Sequence, residues 1–355
     1  MTKHYTIPFF VLHKGCPFKC IFCDQNSITG EENVTPDKVP KKIDKYLSTV
    51  SSQDAEVDVG FFGGTFTGLK KEEQIAFLDP VQKYIKSGQI KGVRLSTRPD
   101  FIDAETLRML KDLGVRCIEL GVQSISDKVL KDSRRGYTSG DVKNASSLIK
   151  EYGFILGHQM MLGLPSSDWE AEYLTARAAK DLGAEEVRIY PTLVIKNTEL
   201  ADRWHQTKYV PLDEAEAVER SAKLILYFSS EGIKVIRCGL HASVDLLSGE
   251  GMLAGPFHEA FRSKAESRIF YFLLEYIKGS MHSKNKEITL RYNPRDEADF
   301  FGFGRENIGI ITAICGKAQT ERDEKVPKGA LSAEVGNKTM IVERSIILSK
   351  ILKRR

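Results

Sequence analysis

The stretch Asp103-Ala104-Glu105-Thr106-Leu107-Arg108-Met109-Leu110-Lys111-Asp112-Leu113-Gly114-Val115-Arg116-Cys117-Ile118-Glu119-Leu120-Gly121 places a helix and a strand back to back. Asp103 is a helix N-cap, Leu107, Leu110 and Leu113 recur at helical spacing, and Gly114 is a stop signal. Residues 115–121 are too few for a buried helix and are bounded by turn residues, which predicts a strand. The same unit recurs along the chain. Asp168 caps a helix carrying Leu174, Ala178 and Leu182 that stops at Gly183, and further strands are predicted at residues 6–12, 57–62, 92–97, 155–162 and 186–190. Repeated β-α units imply parallel strands with right-handed crossovers. Six of them predict an α/β fold built as an incomplete barrel.

Parallel sheets and barrels bind ligands at the carboxyl ends of their strands. Just past the first predicted strand stands Gly15-Cys16-Pro17-Phe18-Lys19-Cys20-Ile21-Phe22-Cys23, a C-x3-C-x2-C run. A cubane [4Fe–4S] cluster has four iron corners and is usually held by four thiolates, so three on one loop leave one iron open to a ligand. Two other readings compete. A C-x2-C pair serves thiol redox chemistry, but such pairs open a helix and leave Cys16 without a purpose. The stronger rival is a Cys3His zinc site completed by His13.

Further motifs follow in order: Gly63-Gly64-Thr65-Phe66, Ser96-Thr97-Arg98-Pro99-Asp100, Glu119-Leu120-Gly121-Val122-Gln123-Ser124, Arg134-Arg135-Gly136-Tyr137-Thr138, Gly163-Leu164-Pro165 and Arg188-Ile189-Tyr190-Pro191-Thr192. Each sits at the end of a predicted strand or just beyond it, on one rim. With the cysteine loop they resemble the radical S-adenosylmethionine (SAM) superfamily over about residues 5 to 245. They are most similar to the radical SAM domain of the Elongator catalytic subunit family, and more distantly to oxygen-independent coproporphyrinogen oxidase. An inserted zinc module would not predict this placement.

The resemblance implies a (β/α)6 TIM-like barrel and an enzyme that binds a 4Fe–4S cluster and cleaves SAM to a 5′-deoxyadenosyl radical. It implies Cys16, Cys20 and Cys23 as cluster ligands, with Phe22 beside the third. It places Gly63, Gly64 and Thr65 at the methionine end of SAM, and Ser96, Gln123, Arg135 and Gln159 at its ribose, amino or carboxylate groups. Arg135 is expected to hold the carboxylate in a two-pronged pair, while Arg134 faces solvent. The glycines also suit a plain tight turn. Gln159, within a strand, must face the mouth or be hydrogen-bonded inside it.

The segment from Ile189 to Leu200 is very like its Elongator-family counterpart, whose family modifies the wobble uridine of transfer RNA with an acetyl group. Transfer RNA or a nucleotide-like molecule is therefore the expected substrate, with a flavodoxin- or ferredoxin-type one-electron donor. That family uses a longer cysteine spacing and an acetyltransferase domain, and residues 246–355 carry no convincing pyrophosphate-cradling glycine loop. The alternatives are a small-molecule or peptide substrate, or a zinc-containing nucleic-acid-binding module. His241, His158 and Tyr190 are candidate relays on the substrate side, although lone histidines more often serve structure. No catalytic residue is assigned.

Composition excludes little else. The 355 residues carry a net charge of +4, which permits an RNA partner without demanding one. Lysines cluster at Lys38, Lys41, Lys42 and Lys45, and basic residues at Lys128, Lys131, Arg134 and Arg135 and at Lys350, Lys353, Arg354 and Arg355; solvated faces explain most such runs. Residues 7–12 are too few for a membrane span, and thiolate ligands suit the reducing cytoplasm. Cys117, Cys238 and Cys315 are expected in the core. The expected division is a radical SAM core at 1–245 and a small α/β appendage at 246–355 that covers the barrel, with helices at 261–277, 307–315 and 346–355 and a strand at 288–292. Pro17, Phe18, Ile21 and Phe22 form an apolar wall that lowers a cluster's potential within the range of about −700 to +450 mV. Lys14 and Lys19 oppose it if they approach.

Overall fold

Six parallel strands of a seven-stranded sheet run side by side in chain order, β1 (His4–Phe10), β2 (Glu56–Phe62), β3 (Gly92–Thr97), β4 (Val115–Gln123), β5 (Ile155–Leu162) and β6 (Glu186–Pro191). The computed structural model describes residues 4–12, 14–17, 19–24, 34–50, 55–240, 246, 248–249, 251–280, 288–315, 319–336 and 338–351. His13, Phe18, His241 and residues 352–355 lie outside these, as does the side chain of Cys315. The sheet curls as an incomplete TIM-like barrel. Neighbouring strands pair in parallel, with Val59 opposite Val93 and Gln159 opposite Arg188. The predicted strands stand within two residues of the observed ones. The largest shift is at β1, where Val11 adds one more ladder bond to Phe62 O, 2.8 Å, after the strand proper ends.

Side chains alternate across a strand, and here the two faces differ in kind. Val93, Leu95, Ile118, Leu120, Leu156 and Ile189 are buried apolar residues. Their counterparts at the intervening positions are Arg94, Ser96, Glu119, Gly157 and Arg188. The crossover helices are α1 (Val39–Leu47), α2 (Lys71–Leu78), α3 (Gln82–Lys86), α4 (Ala104–Asp112), α5 (Asp127–Asp132), α6 (Ser139–Glu151) and α7 (Trp169–Asp181). The predicted caps are present: Asp103 accepts from Thr106 N and Asp168 from Ala171 N. α8 (Glu199–His205) follows a short strand, β7 (Val194–Ile195), that pairs antiparallel with Met252–Ala254.

The polar face is held by one carboxylate. Glu119 on β4 accepts from Arg94 Nε of β3 at 2.9 Å and from both Nε and Nη2 of Arg188 on β6, the latter at 3.1 Å. Arg94 also pairs with Glu186. Burial alone would raise the Glu119 carboxyl, but Arg188 and then Arg94 outweigh it and hold it below its ordinary range. Gly157 on β5 leaves the room, because a Cβ there would stand 3.0 Å from Glu119 Cγ.

The chain divides into two units, residues 1–212 with 240–257, and residues 213–239 with 258–355. The second unit contains helices Glu214–Ser230 and Phe261–Ser280 and a four-stranded sheet in the order Gln319–Arg322, Ile288–Tyr292, Leu331–Val335, Lys338–Val342. Its aromatic centre stacks Tyr292 on Phe300 at 4.3 Å between centroids. Among the described residues no helix is long and apolar enough to cross a membrane.

Two outcomes test this account. Glu119→Ala leaves two buried guanidinium groups short of a partner, so urea unfolding should report a loss of about 3–5 kcal/mol. His158 is buried against Ser146, its ring Nε2 2.9 Å from Oγ, and burial depresses its pKa from 6.5 to about 4. The unfolded chain then binds the extra proton, so His158 makes the fold less stable as pH falls from 6.5 towards 4. His158→Asn should remove up to about 1.4 kcal/mol per pH unit of that slope.

Candidate active site

The cysteine loop leaves β1 and is stitched to its neighbour by backbone. Thr65 N donates to Lys14 O at 3.0 Å. Gly64 has φ +55, and a Cβ on it would fall 2.6 Å from Val11 O. Gly15 has φ +70 and packs against Gly68, where a Cβ would meet Gly68 C at 2.8 Å. Gly64 therefore serves a close approach of two loops at the strand ends. Thr65 is fully buried, and its Oγ1 has no hydrogen-bond partner among the described residues. A buried hydroxyl of that kind is a polar atom that a ligand would satisfy.

The thiol half of the loop sits in an apolar cluster. Cys20, Ile21 and Phe22 pack with Val129, Leu164 and Leu200, and Cys23, Met161 and Trp204 lie against that group. Backbone bonds fix it there: Ile21 N donates to Ser133 O at 3.3 Å and Leu200 N to Ile21 O at 2.8 Å. α8 is in turn pinned by Glu199, which holds Arg203 at 2.9 Å and Arg134 at 2.5 Å. Burial first, and then the charge of Cys20, push the Cys23 thiol up to about 12. A metal that replaces the proton relieves that cost.

Three thiols on one loop are a donor set that a [4Fe–4S] cluster uses. Four ligands about 2.3 Å from one zinc put sulfurs about 3.8 Å apart. Among the described residues only Cys117, Glu119 and Glu186 bring three such ligand atoms within 4.8 Å of one another, and arginines already occupy those two carboxylates.

The other predicted residues lie on β3, β4 and β5 and on the segment that follows α5. Ser96 is half-buried at the end of β3 and Gln123 is buried at the end of β4. Gln123 has φ +61, a left-handed backbone that costs a non-glycine residue of order 1–3 kcal/mol and points to a constrained position. Its Oε1 accepts from Gln159 Nε2 at 3.4 Å, so the structure brings these two amides together. Phe22 is buried under the Arg135 guanidinium, 6.0 Å from the ring centroid. Arg135 itself is turned onto protein atoms: Nη1 donates to Cys20 Sγ at 3.0 Å, Nη2 to Gly121 O at 3.0 Å and Nε to Tyr137 Oη at 2.8 Å. His158 lies between β5 and α6, away from these groups, whereas Tyr190 Oη is 3.4 Å from Arg188 Nη1 and half-buried. Lys14 and Lys19 are exposed. Glu119, Arg188 and Tyr137 are site residues that the motifs contain but that sequence reading leaves without a role. The signal for Arg188 is the strict alternation Glu186-Val187-Arg188-Ile189-Tyr190, polar on one face only.

Two models match in succession, the radical SAM superfamily over residues 10–178 and the radical SAM C-terminal domain over residues 184–270. The chain belongs to the radical SAM superfamily of enzymes. Among its relatives, a tRNA uridine(34) acetyltransferase of Methanocaldococcus jannaschii is 30% identical over 244 residues, 58% of this chain and 45% of that protein. Elongator complex protein 3 of Homo sapiens is 25% identical over 248 residues, again 58% of this chain and 45% of that protein. The chain spans less than half the length of these curated relatives. In fold it is similar to the archaeal Methanocaldococcus infernus Elp3 with an N-terminal deletion, with a TM-score of 0.58, 21% identity, and coverage of 76% of this chain and 63% of that one.

The close approach of the two loops is open to test. Gly64→Ala forces a Cβ into the Val11–Lys14 backbone at positive φ, so its melting temperature should drop and its iron content after anaerobic reconstitution should fall below that of the wild type.

Proposed function

We propose that this chain is a radical SAM enzyme in which Cys16, Cys20 and Cys23 hold a [4Fe–4S] cluster with one open iron, and that it acts on transfer RNA or a nucleotide-like substrate. What supports the reading is the three-thiol loop, anchored by backbone at the carboxyl rim of a parallel sheet, in a chain of this superfamily. When bound, such a cluster supplies the electron that cleaves SAM reductively to a 5′-deoxyadenosyl radical.

The protein residues have separate duties. The apolar group around Cys20 and Cys23 keeps water from the thiolates. Thr65 Oγ1 offers a hydroxyl to SAM, and Phe22, Gly63, Gly64, Ser96, Gln123 and Gln159 complete its contacts. The strained Gln123 backbone, with its amide tied to Gln159, keeps the pair preorganised. The substrate class rests on the relatives, which carry the name of a tRNA-modifying enzyme. The electron comes from a flavodoxin- or ferredoxin-type donor, and the reducing cytoplasm suits the free thiols.

Anaerobic reconstitution with iron and sulfide should give a brown protein that releases 5′-deoxyadenosine from SAM with dithionite. Cys16→Ala, Cys20→Ala and Cys23→Ala should each abolish both properties. Incubation with transcribed transfer RNA and deuterated SAM should alter the label in deoxyadenosine or RNA. A colourless zinc protein would overturn the reading, and turnover indifferent to RNA would overturn the substrate class.

A further inference from the structure

An apolar shell disfavours added negative charge at a metal centre, and the cysteine loop has such a shell. The lysines that flank it in sequence, Lys14 and Lys19, are exposed, so water and salt screen their charge. The cation that reaches the loop comes from elsewhere. Arg135, 115 positions from Cys20, is only 7% exposed and donates from Nη1 to Cys20 Sγ at 3.0 Å.

That guanidinium is fixed on every side. Nε is held by Tyr137 Oη at 2.8 Å and Nη2 by Gly121 O at 3.0 Å. Its backbone carbonyl accepts from Arg98 Nη2 at 2.5 Å, and Arg98 is set by a two-pronged pair with Asp100, 2.9 Å at each bond. The guanidinium groups of Arg98 and Arg135 both lie against the Tyr137 ring, at 5.0 and 4.9 Å. A side chain held by so many partners cannot swing to a new one without leaving several polar groups unpaired.

Resting on the cluster reading above, we propose that Arg135 is a positioning residue that tunes the centre through Cys20. Its buried, charge-assisted hydrogen bond to the ligand sulfur favours the one-electron-reduced state. Reduction adds one negative charge, delivered by an external low-potential donor, and part of it resides on the thiolates. A cation at hydrogen-bond distance from one of them stabilises that charge. No bond forms or breaks at Arg135, and Tyr137 and Arg98 act by holding it.

The test is a potentiometric titration followed by electron paramagnetic resonance, on anaerobically reconstituted full-length protein. Arg135→Met should lower the reduced-to-oxidised ratio at fixed potential at least tenfold, a midpoint 59 mV or more lower for a one-electron couple, at unchanged iron content. Arg135→Lys, which keeps the charge and loses the fork, should fall between. Tyr137→Phe leaves the core packing in place and should shift the midpoint the same way by less. Cluster-loaded Arg135→Met or, if that variant does not fold, Tyr137→Phe with the wild-type midpoint overturns the inference alone. A wild-type protein that takes up no iron overturns the cluster reading and this inference with it.

Discussion

Glu119 is the side chain on which the inner face of the sheet depends. An incomplete barrel that must admit a polar ligand cannot fill its interior with aliphatic layers, as a closed barrel does. It needs polar groups inside, and each must be satisfied. Glu119 meets that demand by holding Arg94 from one side and Arg188 from the other, across strands β3, β4 and β6. Arg188 adds its cationic face to the Phe62 ring of β2 at 5.0 Å. The strands are thus tied by side chains as well as by their ladders, and the loops at their ends inherit a fixed spacing. Gly157 makes the arrangement possible by having no side chain at the crowded position.

At the rim the loops hold one another mainly through backbone. Lys14 with Thr65, Ile21 with Ser133 and Leu200 with Ile21 join four separate segments of chain around the thiols. Backbone bonds of this kind tolerate little movement, and they leave the side chains free for ligands. The Gly63–Thr65 turn joins two duties usually read as alternatives. Gly64 is needed for the packing of two loops, while the neighbouring Thr65 hydroxyl is buried and has no partner among the described residues.

Much of the first unit was legible in sequence because its signals are local. Asp103, Gly114, Asp168 and Gly183 mark helix ends by their own chemistry, and short apolar runs mark the strands. The cysteine loop announces itself for the same reason. The second unit was read less well. Its helix and strand at Phe261–Ser280 and Ile288–Tyr292 are strongly patterned, but Gln319–Arg322 and Lys338–Val342 are polar strands with burial on few positions, and their order in the sheet is set by partners far along the chain. The site was legible as a set of motifs and not as a set of contacts. Nothing near Arg135 in sequence names Cys20 as its partner, and nothing near Glu119 names Arg188.

Arg135 shows that difference at a single side chain. A guanidinium has five N–H donors in a rigid planar fork, and a carboxylate takes two parallel ones from the same edge. Here the two terminal nitrogens diverge, one to the Cys20 sulfur and the other to the Gly121 carbonyl, while Nε is taken by Tyr137. Three of its five N–H donors are thereby engaged, and breaking those bonds would strand a buried sulfur, a carbonyl and a phenol together. Burial fixes that charge beside Cys20, and the backbone holds Thr65 and the glycine turn against the start of the cysteine loop.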